Sequence, residues 1–262
     1  MTLRYSTGLR NHLAAGGSFK SAFQNGRIEI YTGSQPATPE TAVSGTLLVT
    51  VTNNNGAHTA EVRATGTIAL NTGASGSIDT CTLDGVSLIA AAVPFNTSLA
   101  QTAADLATAI NDHETYLNVK AEVLSGSTVT VTAPRGAGAT FNALVLASTV
   151  TTLTKTDVNM GSVVAGVTPV NGLKFGTEAS GAIAKLAAQT WEGTNAAGGT
   201  AGWYRMYGSV ADTGAADSSG VHIREDGAIS TSGQQLNLTG STTLTAAAKT
   251  TLNTWSRTVP AA

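Results

Sequence analysis

Charge is what this sequence has least of. Asp, Glu, Lys and Arg make up 11% of its 262 residues, against about 25% in an ordinary soluble domain. The 14 Lys and Arg are scattered and balanced by 16 acids, which excludes the basic footprint that counterion release demands of a nucleic-acid binder. Aromatics stand at 5%, and cysteine at one residue, Cys81. A lone thiol excludes an internal disulfide and thiolate metal spacing. Its ordinary role is that of a small buried apolar residue, with pairing to a thiol of another copy left open. Long apolar runs are missing as well. The longest, Leu88 to Val93, is strand-sized and diluted by alanine, far short of the roughly 20 residues of a membrane-spanning helix. The opening MTLRYSTGLRNHL has no apolar h-region of a secretion signal. The expectation is a soluble chain made in the cytoplasm, with no nucleic-acid and no membrane partner.

Catalytic motifs are also missing. The sequence has no G-x-S-x-G elbow, no H-E-x-x-H, no G-x-x-x-x-G-K-[ST] and no G-x-G-x-x-G leading from strand to helix. Gly136-Ala137-Gly138 follows a strand candidate without a helix start, so it reads as a loop. No cofactor is expected.

What the chain does have is Thr, Val, Ala, Ser and 29 glycines, a composition suited to pleated sheet punctuated by turns. Gly198 to Val210, GGTAGWYRMYGSV, concentrates its bulk. Alternation puts Trp203, Arg205 and Tyr207 on one face and Tyr204, Met206 and Gly208 on the other, as in a central strand with both faces occupied. Trp191, Trp203 and Tyr204 are read as core; a sugar-stacking platform is the alternative if they are exposed.

Along the chain, 7–15 and 18–25 read as short helices, the second capped by Ser18 and carrying Phe19, Ala22 and Phe23 on one face. That face needs a surface, either the sheet or a neighbouring subunit, which makes Phe19 and Phe23 possible subunit-contact residues. RIEIY at 27–31 and TLLVTVT at 46–52 are strands joined by the proline-bearing GSQPATPETAVSG. Between 65 and 165 a self-contained set of elements follows: a strand at 66–70, a hairpin through Asp84-Gly85, and a helix opened by Ser98 and Gln101 as a capping box. The helix carries Leu99, Ala103, Leu106 and Ile110 and stops at 111–114; a hairpin through Ser125-Gly126 and strand at 140–150 come after it. Strand candidates return at 172–175, 198–210, 219–224, 235–238 and 253–259. The fold class expected is mainly β: a jelly-roll-like β-sandwich formed by 1–64 and 166–262, interrupted at 65–165 by a small α+β module whose one helix covers a sheet face.

Four histidines give little chemistry. His12 falls in a helix, His58 in a polar turn, and His113 at a helix end beside Glu114, where it complements the carbonyl terminus. In VHIRED, alternation places His222, Arg224 and Asp226 together, apart from Ile223 and Glu225; two ligands fall short of the three or four of a metal site, so a solvated strand face is expected. Asp212 and Asp217 lack calcium-ligand spacing and read as loop residues. No metal is expected.

Four stretches carry a resemblance to a known group: 6–48 (STGLRNHL to SGTLL), 171–185 (NGLKFGTEASGAIAK), 191–209 (WEGTNAAGGTAGWYRMYGS) and 224–238 (REDGAISTSGQQLNL). They resemble virion structural proteins of tailed bacteriophages and prophages, encoded among head and tail genes. The middle, with TCTLDGVSLIAA, AADLATAIN and VTVTAPRGAGA, is similar to a small module that recurs in phage structural proteins. The resemblance implies a non-enzymatic particle component residing in the virion, present in many copies and partnered by major capsid or tail proteins and by itself. A capsid decoration or minor capsid protein is favoured, a tail or baseplate component follows, and a host-surface glycan-binding module is the alternative from another class. That last role would need exposed aromatics in the module, where only Phe95, Tyr116 and Phe141 are available.

Overall fold

A computed structural model describes residues 2–113, 115 and 117–258; Glu114 and Tyr116, named above, and the end of the 253–259 strand candidate lie outside the described residues. The fold is mainly β, with 40% strand against 12% helix. The chain divides into two units, 1–60 with 169–262, and 61–168.

The first unit begins with β1 (Arg4–Tyr5), α1 (Thr7–Ala14) and α2 (Phe19–Phe23), then β2 (Arg27–Thr32) and β3 (Leu47–Asn53). Ser6 caps α1 by accepting from Leu9 N at 3.1 Å, and Ser18 caps α2 in a capping box closed by Ser21. Gly8 lets α1 lie against the chain at 221–222: a Cβ there would stand 2.4 Å from the His222 carbonyl oxygen. Phe23 is 1% exposed, and the half-buried Phe19 stacks on Trp255 at 5.8 Å and lies 4.7 Å from the Phe23 ring. Of the two surfaces expected to receive Phe19 and Phe23, the sheet or a neighbouring subunit, the structure shows them packed within their own unit. The apolar face of α2 is consumed by the unit's own aromatic cluster of Phe175, Trp191 and Trp255.

The second unit holds β4 (Thr65–Thr72), β5 (Ser77–Leu83), β6 (Val86–Ser87), β7 (Val93–Pro94), α3 (Leu99–Asp112), β8 (Lys120–Ser125), β9 (Thr128–Thr132), β10 (Leu146–Thr151) and β11 (Thr154–Val158). One sheet runs β10-β5-β6 with β7 also on β5; the other runs β11-β4-β9-β8. Helix α3 packs on β8, β9 and β4 through Ala103, Leu106, Ala107 and Ile110, at the helical spacing the sequence shows. Ser98 accepts from Gln101 N, but the Gln101 side chain reaches forward to Asp105 Oδ1 at 2.9 Å instead of closing a capping box. The unit starts at Glu61 and ends at Thr168, where 65–165 was expected. The antiparallel bridge Val62↔Val167 carries its pairing beyond both expected boundaries. Residues 140–150 are not one strand: a 3-10 turn at Gly138–Phe141 precedes β10. β11, too rich in Thr and charge to read as a strand, pairs with β4 after Thr152 takes a φ of 63°.

The chain then returns with β12 (Ala182–Ala184), β13 (Trp191–Thr194), β14 (Gly199–Tyr207), β15 (Arg224–Ser230), β16 (Leu236–Asn237), β17 (Thr243–Leu244), β18 (Lys249–Leu252) and β19 (Ser256–Thr258). The long sheet runs β1-β15-β14-β2-β3-β13-β18, with β16 beside β15 and β17 beside β14; β12 pairs with β19. These pairings establish mainly antiparallel β; they do not establish a jelly-roll order. β14 lies between β15 and β2, with Trp203, Tyr204, Arg205, Met206 and Tyr207 all at most 1% exposed. Residues 172–175 form only isolated bridges, and 219–223 turn before β15 begins at Arg224.

Candidate functional site

The two faces of β14 meet different environments. Tyr204 and Met206 enter the apolar core. Trp203, Arg205 and Tyr207 enter a buried polar layer on the other side. There Trp203 stacks on Tyr31 at 4.8 Å, and the Arg27 guanidinium lies 4.1 Å from the Tyr207 ring centroid. Arg205 donates to both carboxylate oxygens of Asp226, Nε to Oδ1 at 2.7 Å and Nη2 to Oδ2 at 2.8 Å. Arg224 binds Asp212 in the same forked way, at 2.7 Å for both bonds. Such paired bonds fix geometry as well as charge.

Each guanidinium also has a donor left over, and each uses it on one loop. Arg205 Nη1 donates to the Thr41 carbonyl at 3.1 Å, Arg224 Nη1 to the Pro39 carbonyl at 2.9 Å, and Arg4 Nη1 to the Pro36 carbonyl. Glu40 accepts from Thr7 N, and its carbonyl accepts from Asp217 N at 2.8 Å. The proline-bearing segment 33–46 is thus a roof latched over the polar layer.

His222, Arg224 and Asp226 do not form the solvated face expected of them. Arg224, Glu225 and Asp226 are at most 1% exposed, because β15 lies between β1 and β14 with a core on one side and the latched loop on the other. Only the His222 ring keeps partial exposure, with Nδ1 3.6 Å from Asp212 Oδ2. Burial would raise the Asp212 carboxyl pKa; the Arg224 hydrogen bonds and the Gly214 N–H outweigh it and hold that pKa below its ordinary value. Asp217 is held low in the same manner, against its own burial, by His222 N and the Ser219 hydroxyl. The oxygens of both loop acids are thereby occupied by protein donors.

On the core side, Tyr204 Oη donates to Glu225 Oε1 at 2.6 Å, and Arg257 Nη2 binds the same oxygen. Gly227 makes this possible, since a Cβ there would stand 2.5 Å from Tyr204 Cε1. Complete burial raises the Glu225 carboxyl pKa despite the charge of Arg257. Trp191, Trp203 and Tyr204 are all 0% exposed, so no aromatic platform is presented.

A groove of about 400 Å³ opens in the same unit, lined by Arg27, Thr50, His58 and Asp212 among others. His58 Nε2 contacts the Asn25 carbonyl oxygen at 3.0 Å, a bond in which the ring must donate, and burial lowers its pKa. Arg27 is engaged by Glu29 at 2.8 Å and by the Asp212 carbonyl at 2.6 Å. Of the other histidines, His12 pairs with Ser21 and His113 caps α3 through its backbone. Among the described residues no group of three or more His, Cys, Asp or Glu is placed to hold a metal ion. In the second unit, Phe95 and Phe141 pack against the core.

The sequence reading missed the ion pairs and the latch. The available signal was the position of charge: in a chain this poor in ionisable residues, Arg205 and the Arg-Glu-Asp run lie inside strands next to large apolar side chains. No family model, no curated protein and no solved structure matches this chain.

Proposed function

We propose that the chain is a non-enzymatic structural component of a tailed-bacteriophage particle, present in many copies, acting as a capsid decoration or minor capsid protein. The observation that carries this is the inward use of charge. Arg205, Arg224, Asp212, Glu225 and Asp226 are all below a tenth exposed in a chain with a formal net charge of −2. Arg205 and Arg224, held by Asp226 and Asp212, are spent on latching a 14-residue loop, 33–46, and Glu225 on binding Tyr204 and Arg257, rather than on facing a substrate. The surface left over is neutral and rich in hydroxyls, with Leu124, Val163 and Val221 at least half exposed. Copies carrying such a surface approach without strong repulsion and fit by shape and backbone complementarity. The likeness of the outer segments to virion structural proteins supports the same role. Its partners on this proposal are major capsid or tail proteins and further copies of itself.

The test is to locate the chain in purified particles by mass spectrometry and a reconstructed density map. Density repeating with the capsid lattice is the expected result. Density confined to the tail axis or baseplate would reassign it to the tail. Absence from intact particles, or turnover of a cell-wall or capsular substrate by the purified chain, would overturn the structural role itself.

A further inference from the structure

Arg27, Arg205, Arg224 and Arg257 each hold a carboxylate. Arg63 and Arg135, both partly buried in the second unit, hold none within 4.0 Å among the described residues. Their placement is constructed rather than incidental. Glu61, 1% exposed, accepts from Gly136 N at 2.7 Å and Gly138 N at 3.2 Å, so it grips the loop Pro134–Gly138 from beneath. Two residues along the same extended segment, Arg63 projects to the same side and its Nε donates to the Ala133 carbonyl at 2.6 Å. Arg135 stands in sequence between these two anchor points, and among the described residues no hydrogen bond claims its guanidinium. Burial lowers the pKa of both arginines, and for Arg135 the charge of Arg63 adds to the effect.

Arg63 and Arg135 set two positive charges against the one buried carboxylate that acts on both, a surplus of one. Glu122 also acts on Arg63, but it is exposed and therefore screened by solvent and salt. The surplus suits a single negative charge, and the planar fork of arginine suits a carboxylate. We propose that Arg63 and Arg135 form a binding site for a carboxylate monoanion, supplied either by a free small carboxylate or by the acidic side chain of another polypeptide. The site stands independently of the particle role.

The experiment follows the Gly136 amide and the Arg135 Nε–H by NMR in the full ¹⁵N-labelled chain. Sodium acetate, the peptide acetyl-Gly-Glu-Gly-amide and sodium phosphate are titrated separately at constant ionic strength. Saturable shifts with acetate or the peptide are expected, weakened by about tenfold or more in Arg135→Gln and by less in Arg135→Lys, as loss of a charge-assisted pair requires. Peptide binding about tenfold tighter than acetate assigns the site to a partner's side chain; equal or weaker peptide binding assigns it to a free carboxylate. Shifts that do not saturate, that persist unchanged in Arg135→Gln, or that phosphate produces at lower concentration than both carboxylates overturn the proposal. The Arg135 side chain makes no hydrogen bond among the described residues, so Arg135→Gln is expected to keep the native amide spectrum elsewhere; should it fail to fold, Arg135→Lys carries the same comparison.

Discussion

Arg205 and Asp226 face each other across the β14–β15 ladder as a doubly hydrogen-bonded ion pair, with neither side chain exposed to any extent. Burial alone would lower the Arg205 pKa; the hydrogen bonds and charge of Asp226 reverse that and hold it raised. Removing one member strands a charge in the interior. Asp226→Asn is expected to lower unfolding stability by about 3–5 kcal/mol in urea titrations. Replacing both residues, as Arg205→Met with Asp226→Leu, is expected to restore much of that loss. A single substitution with no measurable cost would mean that solvent reaches the pair.

The roof loop is held by carbonyl latches, and Glu40 within it is a marker for release. Arg4→Gln removes the donor to Pro36 at one end of the loop. A glutamate-specific protease is expected to leave native Glu40 intact and to cut after it in the variant at temperatures where both remain folded. Equal cleavage of the two proteins would show that the arginine latch does not hold the loop down.

Trp203 tests the packing of the polar layer. Its side chain is fully buried and stacked on Tyr31, while its indole Nε1 has no hydrogen-bond partner among the described residues. Trp203→Ala is expected to cost about 3–5 kcal/mol. Trp203→Phe keeps the ring contact and sacrifices no hydrogen bond, so it should cost clearly less. Similar costs for the two variants would remove stacking as the explanation.

Cys81 is fully buried on β5, and burial, aided by the charge of Asp157, pushes its pKa up to about 12. At pH 8 the native thiol is expected to resist a disulfide reagent and to react fully once the chain is unfolded. Rapid labelling of the native protein would place the thiol at the surface and reopen pairing between copies.

Acid should weaken the first unit. Asp212, Asp217 and Glu40 have folded-state pKa values below their ordinary ones, each through hydrogen bonds that outweigh burial. Groups depressed in this way stabilise the fold fully above the unfolded carboxyl value of about 4 and lose that contribution as pH falls through the lower folded value. Chemical-denaturation midpoints are expected to decline from about pH 4 downward, and Asp212→Asn should lower the plateau while flattening the decline. A decline just as steep in Asp212→Asn would assign the acid sensitivity elsewhere.

Local pattern and composition, both present in the chain itself, determined a good part of this protein. Ser18 as a cap, the spacing of Ala103, Leu106 and Ile110, the Asp84-Gly85 turn and the alternation through Trp203 to Tyr207 depend on neighbours a few residues away, so the sequence alone predicts these helices, hairpins and the central strand. The same alternation separated Arg205 from Tyr204 and read both faces as occupied, yet it could not say that one of them meets a buried layer of ion pairs. Only the tertiary structure decided that Phe19 and Phe23 turn toward their own core, that Arg224, Glu225 and Asp226 are sealed, and that Glu61 reaches 75 residues along the chain to Gly136. Burial of a charge is set by which strands and loops come to lie on either side of it, and those neighbours are distant in sequence; Asp226 meets Arg205 across 21 residues and Arg224 meets Pro39 across 185.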